Sequence, residues 1–308
     1  MDGNIDSEPT RNSPFAILGV LAVVLGVVAV VALAGRSTRP VVEGVAQPAP
    51  DALVDAPQSP AASAPRRSAE AVPSAPSEPH AAAETAILTH GLAVSPVTCE
   101  LAEFGPSEQA LTAFYQSALT CLGDTWRPVL LAAGGDFADP ALDIGSDSAS
   151  ACGPMPDEQE ATAFYCGLDE TIHMPRQRLF DHVGPYDAAH LAVLAHEYGH
   201  HVQYVGGILD AVNEELIGAE EGGDEELGLN RRVELQANCL AGMALASFAD
   251  RGSVSEELAQ AAIDDFRNYL DSDTHGSMEN QAYWADVGYA AVEVAECDTF
   301  TAPASAVR

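Results

Sequence analysis

The sequence predicts an α+β chain: a mainly helical domain with a small β element over residues 93–308, preceded by one transmembrane helix and a disordered linker. Three observations lead there. An apolar run fills residues 15–34, a Pro/Ala/Ser-rich stretch follows it, and beyond residue 92 the apolar residues fall into helical spacing in the part of the chain that holds every cysteine.

The run from Phe15 to Ala34 contains no charged residue. Twenty residues at a helical rise of about 1.5 Å span about 30 Å, the thickness of a bilayer core. Residues 1–14 then form a short cytoplasmic segment. A secretory signal cleaved after Ala32-Leu33-Ala34 is the alternative. The run is long for a signal and the segment ahead of it is not basic, which favours an anchor. Arg11 lies before the span, and Arg36 and Arg39 lie after it. Those charges by themselves would place the C-terminal side in the cytoplasm. The cysteines argue for the opposite orientation and carry more weight here.

Residues 35–92 read as the linker, with nine prolines from Pro40 to Pro79 and few large apolar residues. Such a composition cannot bury enough surface to fold. In the domain, Ser107 reads as an N-cap before Leu111, Phe114, Tyr115, Ala118, Leu119 and Leu122, a helix that Gly123 would close. Residues 136–160 read as loop. Phe164–Cys166 and Thr171–Met174 read as short strands, the second ended by Pro175 and placed at an edge. Asp187 would cap a helix over 188–205 that Gly206-Gly207 stops, and the acidic stretch 213–228 reads as an exposed loop. Asn230 would cap a helix reaching Ala249. Two more helices are expected near 256–270, with Ser253 and Glu256 as a capping box, and near 279–295.

The formal charge is −33, with 13 basic and 46 acidic residues and no lysine. Phosphate binding depends on clustered cations, so a nucleic-acid function is excluded. The six cysteines, Cys99, Cys121, Cys152, Cys166, Cys239 and Cys297, contain no CxxC pair. An even number confined behind a hydrophobic segment indicates disulfides in an oxidising compartment, with buried free thiols as the alternative.

The chemistry concentrates in His196-Glu197-Tyr198-Gly199-His200. Residues four apart share a helix face, so both imidazoles can reach one metal ion. Glu197, one step round, can approach a water without acting as a ligand. This is the HExxH arrangement of zinc peptidases, in which the metal acidifies a water and the glutamate takes its proton. A catalytic zinc needs a third protein ligand and an open position. Glu234, in Glu234-Leu235-Gln236-Ala237-Asn238, fits as that ligand, and Asn238, one turn on, could hydrogen-bond a ligand histidine. His275, in a polar stretch beside Gly276, is a candidate to stabilise an oxyanion. Tyr198 reads as core, His201 as pointing away from the ligand face, and His173 as incidental to a strand whose backbone could pair with extended peptide.

The stretch Val193–Gln203 resembles the signature of the neutral zinc metallopeptidase family, a bacterial family similar to the zincins. Further blocks agree in order: Cys152-Gly153, Phe164-Tyr165-Cys166 with Asp169, Glu234–Gly242, His275-Gly276-Ser277 and Cys297-Asp298-Thr299-Phe300. The resemblance covers roughly residues 93–302. It implies a zincin-like metallopeptidase domain with one Zn2+ held by His196, His200 and Glu234, and with Glu197 as general base. It also implies the pairs Cys152–Cys166 and Cys239–Cys297, which leaves Cys99–Cys121 by elimination. The family pattern favours Asp where this chain has Asn238, and an arginine where it has Gln281. The expected function is a membrane-anchored zinc peptidase acting on peptides or proteins outside the cytoplasm. The alternative is an inactive zinc-binding envelope protein that serves as a scaffold.

Overall fold

In the computed structural model, residues 42–44, 80–88, 91–145, 150–156 and 161–308 are described. The expected membrane span over 15–34 lies outside them. Among the described residues no helix is long and apolar enough to cross a membrane. The architecture is mainly helical with a small sheet, as the sequence predicts, but the domain begins before residue 93: residues 80–88, read as disordered linker, form two short 3-10 turns (Ala81–Glu84 and Ala86–Leu88) that bury Ala82, Ile87 and Leu88 in the core.

Four strands are named in chain order: β1 (Val42–Gly44), β2 (Ala141–Asp143), β3 (Ala163–Cys166) and β4 (Thr171–His173). The sheet order is β1-β3-β4-β2. β3 and β4 form an antiparallel pair, Phe164 facing His173, and β2 runs parallel to β4. β4 is therefore interior, which corrects its expected place at the edge. β2 also lies in a segment read as loop. Its three residues show no alternation of their own, and the pairing with β4 makes them a strand. β3 is buried at all four positions, and the His173 ring stacks on Phe164 at 4.4 Å.

The helices are α1 (Glu108–Ala132), α2 (Arg176–His182), α3 (Asp187–Val205), α4 (Ile208–Glu215), α5 (Asp224–Phe248), α6 (Glu256–Asp265) and α7 (Met278–Ala290). Ser107 caps α1 by accepting the Ala110 amide, as expected, but Gly123 does not end the helix. A Cβ at Gly123 would lie 2.7 Å from Asp139 Oδ1, so that glycine admits a neighbouring segment. The acidic stretch 213–228 is a loop only in its middle, residues 216–223; its ends are helical, since α4 reaches Glu215 and α5 begins at Asp224. Asp224, Glu225 and Glu226 fill the first turn of α5, where carboxylates are favoured by the helix dipole. Asn230 is thus inside α5. Ser255, not Ser253, caps α6, and Ser277 caps α7. α2 was not expected.

The helices that matter most for the site are α3 and α5. α3 is buried from Ala189 to Gln203, and α5 from Val233 to Leu245. A helix enclosed on all sides belongs in a core, and its polar groups must then find partners inside. α5 packs against both α3 and α7. At the α5–α7 crossing a Cβ at Gly288 would sit only 1.8 Å from the Cys239 carbonyl oxygen, so only glycine allows this approach. Three disulfides close the domain: Cys99–Cys121, Cys152–Cys166 and Cys239–Cys297. The last ties α5 to the C-terminal tail. Loops of these lengths contribute roughly 3–4 kcal/mol each on a chain-entropy account.

Candidate metal centre

α3 presents His196 and His200 on one face, and α5 turns Glu234 toward them. His196 Nε2 lies 3.1 Å from His200 Nε2. Glu234 Oε2 lies 3.2 Å from His196 Nε2 and 3.4 Å from His200 Nε2. All three side chains are buried, and they form the one His/Cys/Asp/Glu cluster among the described residues whose ligand atoms converge closely enough for a metal ion.

The opposite ring nitrogens decide what this cluster can hold. His196 Nδ1 is 2.7 Å from Asn238 Oδ1, and His200 Nδ1 is 2.8 Å from Gln203 Oε1. The amide orientations follow from the rest of the network. Asn238 Nδ2 donates to the Gln281 carbonyl at 3.5 Å, while Gln203 Nε2 donates to the Val233 carbonyl at 2.8 Å and to Gln236 Oε1 at 3.0 Å. Each imidazole therefore donates from Nδ1 and keeps a bare lone pair on Nε2. Two lone pairs and a carboxylate oxygen facing one another at 3.1–3.4 Å repel unless a cation lies among them. Tetrahedral ligands at about 2.0–2.1 Å from zinc stand about 3.3 Å apart, so the residues present fit that ion.

Glu197, on the neighbouring face of α3, is 1% exposed. Burial raises its carboxyl to about 8; His196 opposes the shift, Glu234 adds to it, and the main-chain amide of Tyr165 on β3 pulls slightly down. Burial would also raise Glu234. The imidazoles around it, His275 first, outweigh it, so the Glu234 carboxyl is held below the usual carboxylate range. His275 Nε2 lies 3.3 Å from Glu234 Oε2, yet His275 is not one of the converging ligand atoms. Its Nδ1 lies 2.9 Å from Thr274 Oγ1 and 3.1 Å from Ser272 Oγ. With the hydroxyls donating there, Nε2–H points to the site.

Asn238 and Gln281 now have defined places. Gln281 Nε2 donates to the carbonyls of Leu270 and Gly276, so it pins the loop that carries His275. Tyr198 is fully buried in the core. His201 faces away from the ligands, with Nε2 2.9 Å from the Ala138 carbonyl and Nδ1 3.0 Å from the Tyr165 hydroxyl. His173 lies 3.3 Å from Asp143 on β2 and is not one of the converging ligand atoms. Two residues had no expected role. Gln203 orients His200, and Gln236 links Gln203 to the Cys297 carbonyl at 3.0 Å. The signal for Gln203 was its i+3 position from His200, on the same helix face.

Two histidines one turn apart on a buried helix, answered by a glutamate on the next long helix, form a cluster that could hold one metal ion in the HExxH arrangement. The chain belongs to the family described as "Putative neutral zinc metallopeptidase", whose pattern matches residues 85–300. An uncharacterised protein of Mycobacterium tuberculosis is 28% identical over 225 residues, covering 61% of this chain and 72% of that protein. The uncharacterised protein YpfJ of Escherichia coli K12 is 30% identical over 214 residues, covering 63% of this chain and 73% of that protein. No solved structure matches.

Proposed function

We propose that this chain is a zinc-dependent peptidase, tethered by its 15–34 segment with the domain outside the cytoplasm. The observation that carries the activity is the meeting of two bare Nε2 lone pairs and Glu234 Oε2 beside a buried glutamate that is not a ligand. A zinc ion held by His196, His200 and Glu234 would polarise a peptide carbonyl and make a water acidic near neutral pH. Glu197 takes the proton from the attacking water and hands it to the departing amine; a cation among the ligands favours its ionised form. His275 donates from Nε2 to the carbonyl oxygen as charge builds on it. Asn238 and Gln203 hold the ligand rings in the required tautomer.

Zinc analysis and a peptide-library cleavage profile test this reading with two variants. Glu234→Ala should lose most bound zinc and nearly all cleavage. Glu197→Gln should keep zinc and lose cleavage, since only the base is removed. If Glu234→Ala retains stoichiometric zinc while Glu197→Gln loses it, the assigned roles are wrong. The tether and orientation are supported by the apolar run and by three disulfides, which form in oxidising compartments. Protease added to cells whose envelope admits it should release the domain by cutting ahead of Ala81, because Ala82, Ile87 and Leu88 are buried in the domain. Full protection would reverse the orientation.

A further inference from the structure

The sheet carries a feature that the metal centre does not use. β3 has β4 on one side, and it packs against α3. A strand edge left open offers a row of N–H and C=O groups to any extended chain. Here that edge is taken by β1, which pairs antiparallel with it: Val42 faces Tyr165, Glu43 faces Phe164, and Gly44 faces Ala163. β1 also packs against α3 and α5, the two helices that supply the metal ligands. Its partner strand β3 packs against α3, the helix that carries Glu197. With β1 in place, Glu197 is 1% exposed and His196 is 4% exposed.

We propose that Val42–Gly44 is a built-in occupant of the cleft, docked on the Ala163–Tyr165 edge where an extended peptide must lie to reach Glu197. The docking is a matter of geometry; its inhibitory consequence rests on the peptidase reading. Main-chain pairing of this kind requires only an extended conformation, so one extended segment can substitute for another. A three-residue strand binds weakly by itself. Its connection to the domain through residues 45–79 raises its local concentration to the order of millimolar, enough to compete with substrate and weak enough to be displaced. The same stretch lies between the apolar run and the domain, so access to the cleft would depend on how the tether is held.

The test uses the full-length protein and the variant Val42→Pro/Glu43→Pro. Adjacent strand residues face opposite sides, so replacing both removes one N–H from the ladder whichever side it faces. β1 is only three residues long and supplies none of the metal ligands, so zinc content should match the wild type and the melting temperature should fall by no more than a few degrees. Hydrogen exchange of the Ala163 and Tyr165 amides, which alternate away from β4, should quicken at least tenfold. KM for an extended peptide should fall about two- to tenfold at unchanged kcat, the range expected when a millimolar internal competitor is removed. Unchanged exchange overturns the proposal whether or not the protein cleaves peptides. Faster exchange with unchanged KM overturns the inhibitory part. Faster exchange in a protein that cleaves nothing upholds the docking and counts against the peptidase reading instead.

Discussion

Gly199 sits between the two ligand histidines and faces α5. A Cβ there would lie 2.8 Å from the Ala237 carbonyl oxygen, 3.0 Å from its Cα and 3.3 Å from its carbonyl carbon. All three atoms are backbone, so no side-chain rotation relieves the clash. Bringing 2.8 Å to the 3.4 Å limit of ordinary contact requires α3 and α5 to part by roughly 0.6 Å at this point. Overpacking of this kind costs about 1–3 kcal/mol, and alanine's higher helix propensity returns about 1. Gly199→Ala should therefore lose only about 0–2 kcal/mol, a fall in Tm of a few degrees for a domain of this size. The metal should feel far more. α3 carries His196 and His200 while α5 carries Glu234, and a metal site tolerates only about 0.2 Å in its ligand distances. Zinc affinity should drop on the order of tenfold or more, comparable to losing an orienting partner. Gly228→Ala is the control. Its Cβ meets nothing closer than Arg231 Nη2 at 3.9 Å, so it should raise Tm slightly and leave zinc unchanged. Competition titration with a zinc chelator, alongside thermal unfolding, measures both effects. Gly199→Ala binding zinc within about twofold of wild type would refute the claim that this contact sets the ligand spacing.

Two further outcomes follow from the buried polar groups. Gln203→Ala removes the acceptor for His200 Nδ1 and should weaken zinc about 10- to 100-fold by chelator competition, with secondary structure by circular dichroism intact. His190 and His201 are both lowered to about 4, by burial first, with the Gly184 and Ala138 carbonyls opposing. An unfolded histidine titrates near 6.5, so the unfolded state binds the extra protons. Stability is then fully present above pH 6.5 and is lost as pH falls toward 4, by about 3 kcal/mol per histidine. Urea midpoints should decline steadily from pH 7 to pH 4.5, and a flat profile would contradict the buried neutral state of both rings.

The sequence by itself determined whatever depends on short spacing. His196 and His200 share a face because they are four residues apart, and Glu197 stands beside them for the same reason. The end of α3 follows from the glycine pair at 206–207, whereas Asp187, expected as its cap, is the first helical residue and Tyr186 stands at the N-cap. Local signals misled where a residue served a distant partner. Gly123 looked like a helix stop but makes room for Asp139, and β2 is a strand because β4 lies beside it. The acidic run looked like solvent-exposed loop, yet part of it forms the first turn of α5. Only the tertiary structure decided that Glu234, 34 residues beyond His200, turns its oxygen to within 3.4 Å of both rings. The same is true of the amides that fix the ring tautomers and of the loop that brings His275 to Glu234. These are distances between separate helices and loops, set by how a buried α3 and α5 must pack, and helical periodicity read along one segment contains no information about them.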